Sequence, residues 1–305
     1  MSARTRVVPG GSPAFLTIGH ITNDLHDDGS FSLGGTVTFA AVTAYRLGLA
    51  AALVTRADEQ LIAGLPARLP GIQVAARASP LTTTFANRYH DGQRTQYLHT
   101  RAESISLEDI PLAWRDAPIV LLGPLAQELS PECVQLFPRR SGALIAATPQ
   151  GWLRRWDADG RVWPTAWAGA ETLLPLLDVL ILSYDDLRPF ANGQRTNTIL
   201  ARWSMLVPLL IATDGRHGAT LFQHGQSEHF PAYAAAEVDP TGAGDVFAAA
   251  FLCRLHECGD PRAAVNFANC AASFSVEHAG IVGIPSRQIV ETRLQGRTSS
   301  DTWAQ

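Results

Sequence analysis

The chain has 305 residues, 46% of them hydrophobic and 17% charged, with a net charge of −4. This balance suits a soluble globular protein with a sizeable core, and gives no electrostatic reason to expect nucleic acid or an anionic membrane as partner. There is no lysine, all 24 basic residues being arginine, which excludes a Walker-A lysine, the strand lysine of protein kinases and Schiff-base chemistry.

The stretch "MSARTRVVPGGSPAF" lacks the apolar segment of a secretory signal and reads as a short irregular lead-in. "AFLTIGHI" follows as a first strand. Asn23 to Gly35 then carries Asp28-Gly29, a hairpin signal. Gly34 to Gly48, "GGTVTFAAVTAYRLG", has helical length and ends in glycine. "AALVTRA" and "IQVAARA" are strands, and Thr82 to Thr100 is a second polar hairpin around Asp91-Gly92. "PIVLLGPL" and "ALIAATP" are further strands, with "LSPECVQLF" between them as a helix. Trp152 to Trp163 is a third hairpin with its turn at Asp159-Gly160. "DVLILS" and "PLLIATDG" complete the strands, and the chain after Pro285 is expected to fray. The strands are continuous apolar runs rather than alternating ones, as when helices cover both faces of a sheet. The expected fold is therefore α/β, a doubly wound, mostly parallel sheet flanked by helices. One domain spans residues 14–290, with a small β-lid formed by segments 23–35 and 82–100.

Cys133, Cys253, Cys258 and Cys270 show neither a CxxC pair nor zinc spacing. Cys253, Cys258 and Cys270 lie in the apolar C-terminal helical region and read as small core residues, and the set suits a reduced cytoplasm. A dinucleotide fingerprint, a GxSxG elbow and an HExxH motif are all missing from the sequence.

The chemistry concentrates at "VDPTGAGDVFAAAFL", Val238 to Leu252. Gly242, Ala243 and Gly244 precede Asp245 at the mouth of a helix that is apolar almost all round from Val246 onward. Unpaired N–H groups of a first helical turn, aided by the helix dipole, favour an anion such as phosphate. Alone, the aspartate also fits a simple helix cap.

Together with "GGTVTFAAVTAYRLG", "TTTFANRYHDGQRTQYL", "TDGRHGA" and "FANCAASFSVEHAG", this motif resembles the ribokinase-like (PfkB-type) carbohydrate kinases. The resemblance implies transfer of a phosphoryl group from ATP, with Mg²⁺, to a hydroxyl of a small sugar, cyclitol or nucleoside. Asp245 would be the general base, and the amides of Gly242, Ala243 and Gly244 would form the anion hole. Thr213, Asp214, Gly215, Gly218 and Asn269 match nucleotide-side positions. Asp239 and Thr241 match a monovalent-cation (K⁺) site, although an aspartate before proline also starts turns. Asp24, Gly34 and Gly35 match acceptor positions, the carboxylate suiting a vicinal diol.

Two departures stand out. Phe39 occupies a position where the family has a sugar-binding Asn, which disfavours free ribose and favours a ring with an apolar face. "SYDD" replaces the metal-organising Asn-x-x-Glu, with Ser183 for Asn and Asp186 for Glu, acting on Mg²⁺ through water. The family also implies a homodimer through the lid, while a non-catalytic polyol- or nucleotide-binding relative is the alternative.

Overall fold

The structure is a computed structural model that describes residues 6–7, 11–90, 93–140, 142–187 and 193–301. The Asp91-Gly92 turn lies outside the described residues. Ten strands form one large sheet: β1 (Arg6–Val7), β2 (Phe15–Ile18), β5 (Ala51–Ala57), β6 (Gln73–Ala78), β9 (Ile119–Leu122), β10 (Leu144–Ala147), β13 (Val179–Ser183), β14 (Leu209–Thr213), β15 (Ala219–Gln223) and β16 (Gln226–Phe230). Their spatial order is β1-β6-β5-β2-β9-β10-β13-β14-β15-β16. From β6 to β14 every pairing is parallel, and β1, β15 and β16 join antiparallel at the two margins. The fold is thus the mostly parallel α/β sheet that the apolar runs imply.

Helices α1 (Thr36–Arg46), α2 (Glu59–Arg68), α6 (Ala243–Cys258), α7 (Pro261–Ser275) and α8 (Arg287–Asp301) are joined by the short α3 (Ala170–Leu173) and α4 (Tyr184–Leu187) and by α5 (Gly193–Trp203). One core cluster fills the face carrying α1, α6 and α7, and another, with Trp152, Trp167 and Trp203, fills the opposite face. Helix α6 runs through the first cluster with every residue from Val246 to Cys253 buried, the burial that its all-round apolar sequence demands.

Three expectations are corrected. "LSPECVQLF" forms only a 3-10 turn, Pro131–Leu136, because the stretch between Ser130 and Pro138 is too short to nucleate an α-helix and residues before proline avoid helical backbone. The chain after Pro285 does not fray at once: α8 continues to Asp301. Cys133, Cys253 and Cys270 are buried, but Cys258 is exposed.

A second sheet, of order β4-β3-β7-β8, contains β3 (Thr22–Leu25), β4 (Phe31–Gly34), β7 (Thr83–His90) and β8 (Gln93–Thr100). The hairpin β11 (Arg154–Trp156) and β12 (Val162–Pro164) docks beside it, the Leu98 N–H donating to the Gly160 carbonyl at 2.8 Å. The junction between the two sheets is organised by buried polar groups. His20 is fully buried and shares a 2.7 Å hydrogen bond between Nδ1 and the Thr83 hydroxyl, while Nε2 lies 2.9 Å from the Glu103 carbonyl. The Glu103 carbonyl can only accept, so Nε2 carries the proton, Nδ1 accepts from the Thr83 hydroxyl, and the imidazole is assigned as the neutral Nε2–H tautomer. Burial lowers the proton affinity of His20 accordingly. Beside it, the buried Glu128 carboxylate accepts backbone N–H groups from His20, Leu125 and Ala126 at 2.6–3.0 Å. These bonds fix where the second sheet leaves the first.

Candidate active site

The C-terminal ends of the parallel strands, the second sheet and the start of α6 enclose a cavity of about 850 Å³. This is where an open α/β sheet normally places its ligand. Each motif arrives there for a local reason.

At the start of α6, Gly242 is the N-cap in left-handed conformation, with φ at 79°. A side chain at Gly242 would also strike the ring of Phe39, whose carbons lie 2.4 Å from the position a Cβ would occupy. Gly242 is therefore required twice over, by backbone and by space. The Ala243 N–H donates to the Pro240 carbonyl at 3.2 Å, so an anion at that amide would compete with the turn. Gly242, Ala243, Gly244 and Asp245 all line the cavity.

Asp245 is partly buried at the cavity wall. Burial raises its proton affinity to about 6, reinforced by Asp186 and Asp24 and opposed by the Thr36 hydroxyl and Arg154. Thr36 opens α1 directly after Gly34 and Gly35, and is itself buried. Its methyl sits against Gly123, where a Cβ would lie 2.4 Å from Thr36 Cγ2. The two glycine motifs thus meet in one hydrogen bond, from the Thr36 hydroxyl to the Asp245 carboxylate.

Asp24 lies on β3 with Ser32 opposite on β4 and Gly34 diagonally across, and a Cβ at Gly34 would come within 2.2 Å of Asp24 Oδ2. Glycine there lets the carboxylate lie across the strand. Thr22 Oγ1 donates to Asp24 Oδ1 at 3.2 Å, and Asp24, Gly35 and Phe39 line the cavity. Phe39 is 2% exposed and lies under the Gly242 turn.

Ser183 and Asp186 stand at the end of β13 and in α4, and both line the cavity. Asp186 Oδ2 accepts the Ser183 N–H at 2.9 Å, and Oδ1 faces Gln150 Nε2 at 3.4 Å. Burial raises the proton affinity of Asp186.

At the far end Thr213, Gly215, Gly218 and Asn269 line the cavity, with Asp214 in the same turn at the start of its 3-10 segment. Asn269 Nδ2 donates to the carbonyls of Phe230 and Pro231 at 3.2 and 3.3 Å, holding that wall. Thr241 lines the cavity, but Asp239 lies outside its lining and accepts the Thr241 N–H at 2.9 Å. That is the turn-starting geometry.

The motifs gave no sign of Thr36, Gln150 or Arg154, all of which reach the cavity. Arg154 is the one whose type was a signal: in a chain without lysine, an arginine just after the "TPQG" strand end is a candidate for any anion or carboxylate nearby.

A carboxylate of raised proton affinity is thus set behind a glycine turn at the strand ends of a mostly parallel sheet. Residues 153–287 match the pfkB family carbohydrate kinase. That match covers less than half of the chain, which is similar to this ribokinase-like, PfkB-type family over its C-terminal half. A ribokinase of Bacillus subtilis (strain 168) is 42% identical over 86 residues, 28% of this chain and 29% of that protein. The sequence matches span about half the length of the curated relatives, or less. Two solved structures extend the likeness of fold along the chain. A pyrophosphate-dependent kinase in the ribokinase family, complexed with a pyrophosphate analog and myo-inositol, superposes with a TM-score of 0.77 at 23% identity, covering 91% of this chain and 99% of that one. Arabidopsis thaliana ribokinase complexed with ribose and ATP gives 0.69 at 22% identity, covering 92% and 98%. Among the described residues no helix is long and apolar enough to cross a membrane.

Proposed function

We propose that this protein phosphorylates a hydroxyl of a small polyol, such as a sugar or cyclitol, using ATP. The observation that carries this reading is Asp245, whose proton affinity lies near neutrality, placed behind the Gly242–Gly244 turn and across from Asp24. Asp24 would hold the acceptor's hydroxyls beside Asp245, which takes the proton of the attacking hydroxyl. The Gly242 and Gly244 amides and the dipole of α6 would face the charge on the transferring phosphoryl group. The second sheet would act as a lid over the acceptor, and as the surface through which two copies pair. The far end of the cavity, by Gly215, Gly218 and Asn269, would take the nucleotide.

Magnesium fits this site in a particular way. Among the described residues no group of three acidic, histidine or cysteine side chains could hold a metal. The ion would be held mainly by donor phosphates and water, with Asp186 as the protein's carboxylate, as Mg²⁺ generally is. When bound it neutralises phosphate oxygens. Asp239 and Thr241 would contribute to a K⁺ site only if the Asp239 carboxylate left its turn bond. A cytoplasmic location accords with this role.

The direct test is ADP release from ATP with Mg²⁺ and a panel of polyols; no release with any acceptor would overturn the reading. Asp186→Ala should raise the Mg²⁺ concentration for half-maximal rate about tenfold while leaving acceptor affinity within about twofold, since an outer-sphere contact is worth roughly that much. Overlaid metal titrations would remove Asp186 from the site.

The Thr36 hydroxyl stabilises the charged form of Asp245, so its loss raises the proton affinity of that carboxyl. Thr36→Val should therefore move the acidic limb of the pH–kcat/KM profile to higher pH, by roughly half a unit to one unit for a lost hydrogen bond. Thr36→Ser should restore it. A limb that stays in place would give Thr36 a packing role alone.

A further inference from the structure

A second cleft, of about 380 Å³, opens at the end of the large sheet where β9 and β10 begin. The catalytic cavity lies at the opposite strand ends, and the two share no lining residue. Pro118 and Pro138 give the cleft an apolar wall, while Arg115, Arg140 and His256 bring basic groups to it. His256 stands in the last turn of α6, about 16 Å along the helix from Asp245 at roughly 1.5 Å per residue. Arg115 Nη2 donates to the carbonyls of Leu107 and Ile110 at 3.0 and 3.2 Å, which fixes its guanidinium. Its Nε is buried without a hydrogen-bond partner among the described residues, a costly state for a charged donor. Arg140 Nη2 meets Asp116 Oδ1 at 2.7 Å, with both side chains more than half exposed. His256 Nδ1 lies 3.2 Å from the Gly142 carbonyl, which can only accept, so Nδ1 carries a proton and Nε2 is left for another partner.

We infer that this cleft is a second anion site, which takes a phosphate group, either free or as the monoester of a small metabolite. Guanidinium groups offer donors only, and an anion beside His256 favours the imidazolium, which is also donor-only. A tetrahedral dianion has enough oxygens to meet donors that come from three side chains, and guanidinium forks match phosphate geometry. The exposed pair of Arg140 with Asp116 is of a kind worth little in water, so Arg140 can turn to a ligand of higher charge. The volume falls in the range of about 300–1,000 Å³ usual for small-molecule pockets. It leaves room for a small organic body against the two prolines.

The nearby acidic groups do not oppose such a ligand. Asp178 is matched by Arg139 at 3.1 Å, and Glu257 faces Arg254 and Arg287. Asp116 is the one carboxylate among the described residues that line the cleft, against two guanidinium groups and an imidazole. The site stands whatever acceptor the catalytic cavity takes.

The test is calorimetric titration of the full chain with inorganic phosphate, with fructose 6-phosphate and with neutral fructose. Each titration is repeated with a non-hydrolysable ATP analogue and Mg²⁺ filling the catalytic cavity. Arg140→Ser and His256→Gln should each weaken phosphate or ester binding about tenfold, the effect of losing one charge-assisted hydrogen bond. Both residues are exposed, so these variants should melt with the parent, whereas Arg115→Gln also loses two carbonyl bonds and serves only as a third variant. Fructose binding and polyol turnover should stay within about twofold in Arg140→Ser and His256→Gln, because the cleft is remote from the catalytic cavity. A tighter ester would assign its sugar to the proline wall, and equal affinities would assign the cleft to the free ion. No saturable anion binding to the parent, equal binding in the parent and both variants, or loss of binding when the ATP analogue is present would overturn the inference.

Discussion

Asp245→Asn is expected to lower kcat by a factor of about 10²–10⁴, the usual contribution of a general base, and at the same time to raise the melting temperature. The second effect follows from the sign of the shift. Folding raises the Asp245 carboxyl from 3.8 to about 6, so the folded state binds more protons between these values. Stability therefore falls as pH rises through that window, and the full cost is present above it. Two units correspond to about 3 kcal/mol. Since the side chain is partly open to the cavity, about 1–2 kcal/mol is a fairer figure. Removing the charge should return that amount, worth a few degrees in a chain of this size. The gain should be largest above pH 6 and shrink towards pH 4. A coupled assay and melts across that range measure both effects; retained turnover would end the general-base assignment.

Gly242→Ala should be the most damaging small substitution in the site. Its φ of 79° is costly for any side chain, and the new methyl would meet the Phe39 ring at 2.4 Å. Left-handed backbone costs about 1–2 kcal/mol and overpacking about 1–3 kcal/mol, so a loss of about 2–5 kcal/mol is expected, together with most activity. Gly244→Ala is the matched contrast, because nothing lies within 4 Å of its Cβ position. Its stability should stay within about 0.5 kcal/mol, while turnover falls as the methyl obstructs the phosphoryl approach. Phe39→Ala should rescue part of the Gly242→Ala loss, a coupling that a double-mutant cycle reads directly. Additive losses would place the strain in the backbone alone.

The sequence was most readable where burial and motif coincide. Apolar runs such as "DVLILS" became parallel strands because nothing competes with burial on both faces, and "VFAAAFL" became the buried helix α6 for the same reason. The antiparallel margin was legible but unread: His224 and Gly225 both have positive φ, 52° and 73°, and form the two-residue turn between β15 and β16. A His-Gly pair is a weaker hairpin signal than Asn-Gly or Asp-Gly, so it passes as loop. In the site, Asp24, Asp186 and Asp245 are carried by their motifs and do line one cavity. The roles of Thr36 and Arg154 were not legible, because their partners, Asp245 for the first and Asp186 and Asp245 for the second, are brought to them only by the topology. Asp239 shows the reverse, a residue within a motif whose carboxylate serves its own turn.

The way the large sheet ends has a bearing on how the molecule behaves at high concentration. An edge strand presents unpaired backbone groups that recruit other chains, and proteins blunt such edges with short or charged strands. Strand β1 has two residues, and β16 reads Gln-Ser-Glu-His-Phe, with Glu228 ion-paired to Arg262 at 2.5 Å. Neither margin offers a long apolar template, so the sheet is built against edge-to-edge aggregation. On the small sheet, β8 is flanked by the β11–β12 hairpin, whereas β4 ends the row with Phe31 57% exposed. Colloidal weakness in this protein should therefore begin at β4, and a charged residue in place of Phe31 is the conservative remedy.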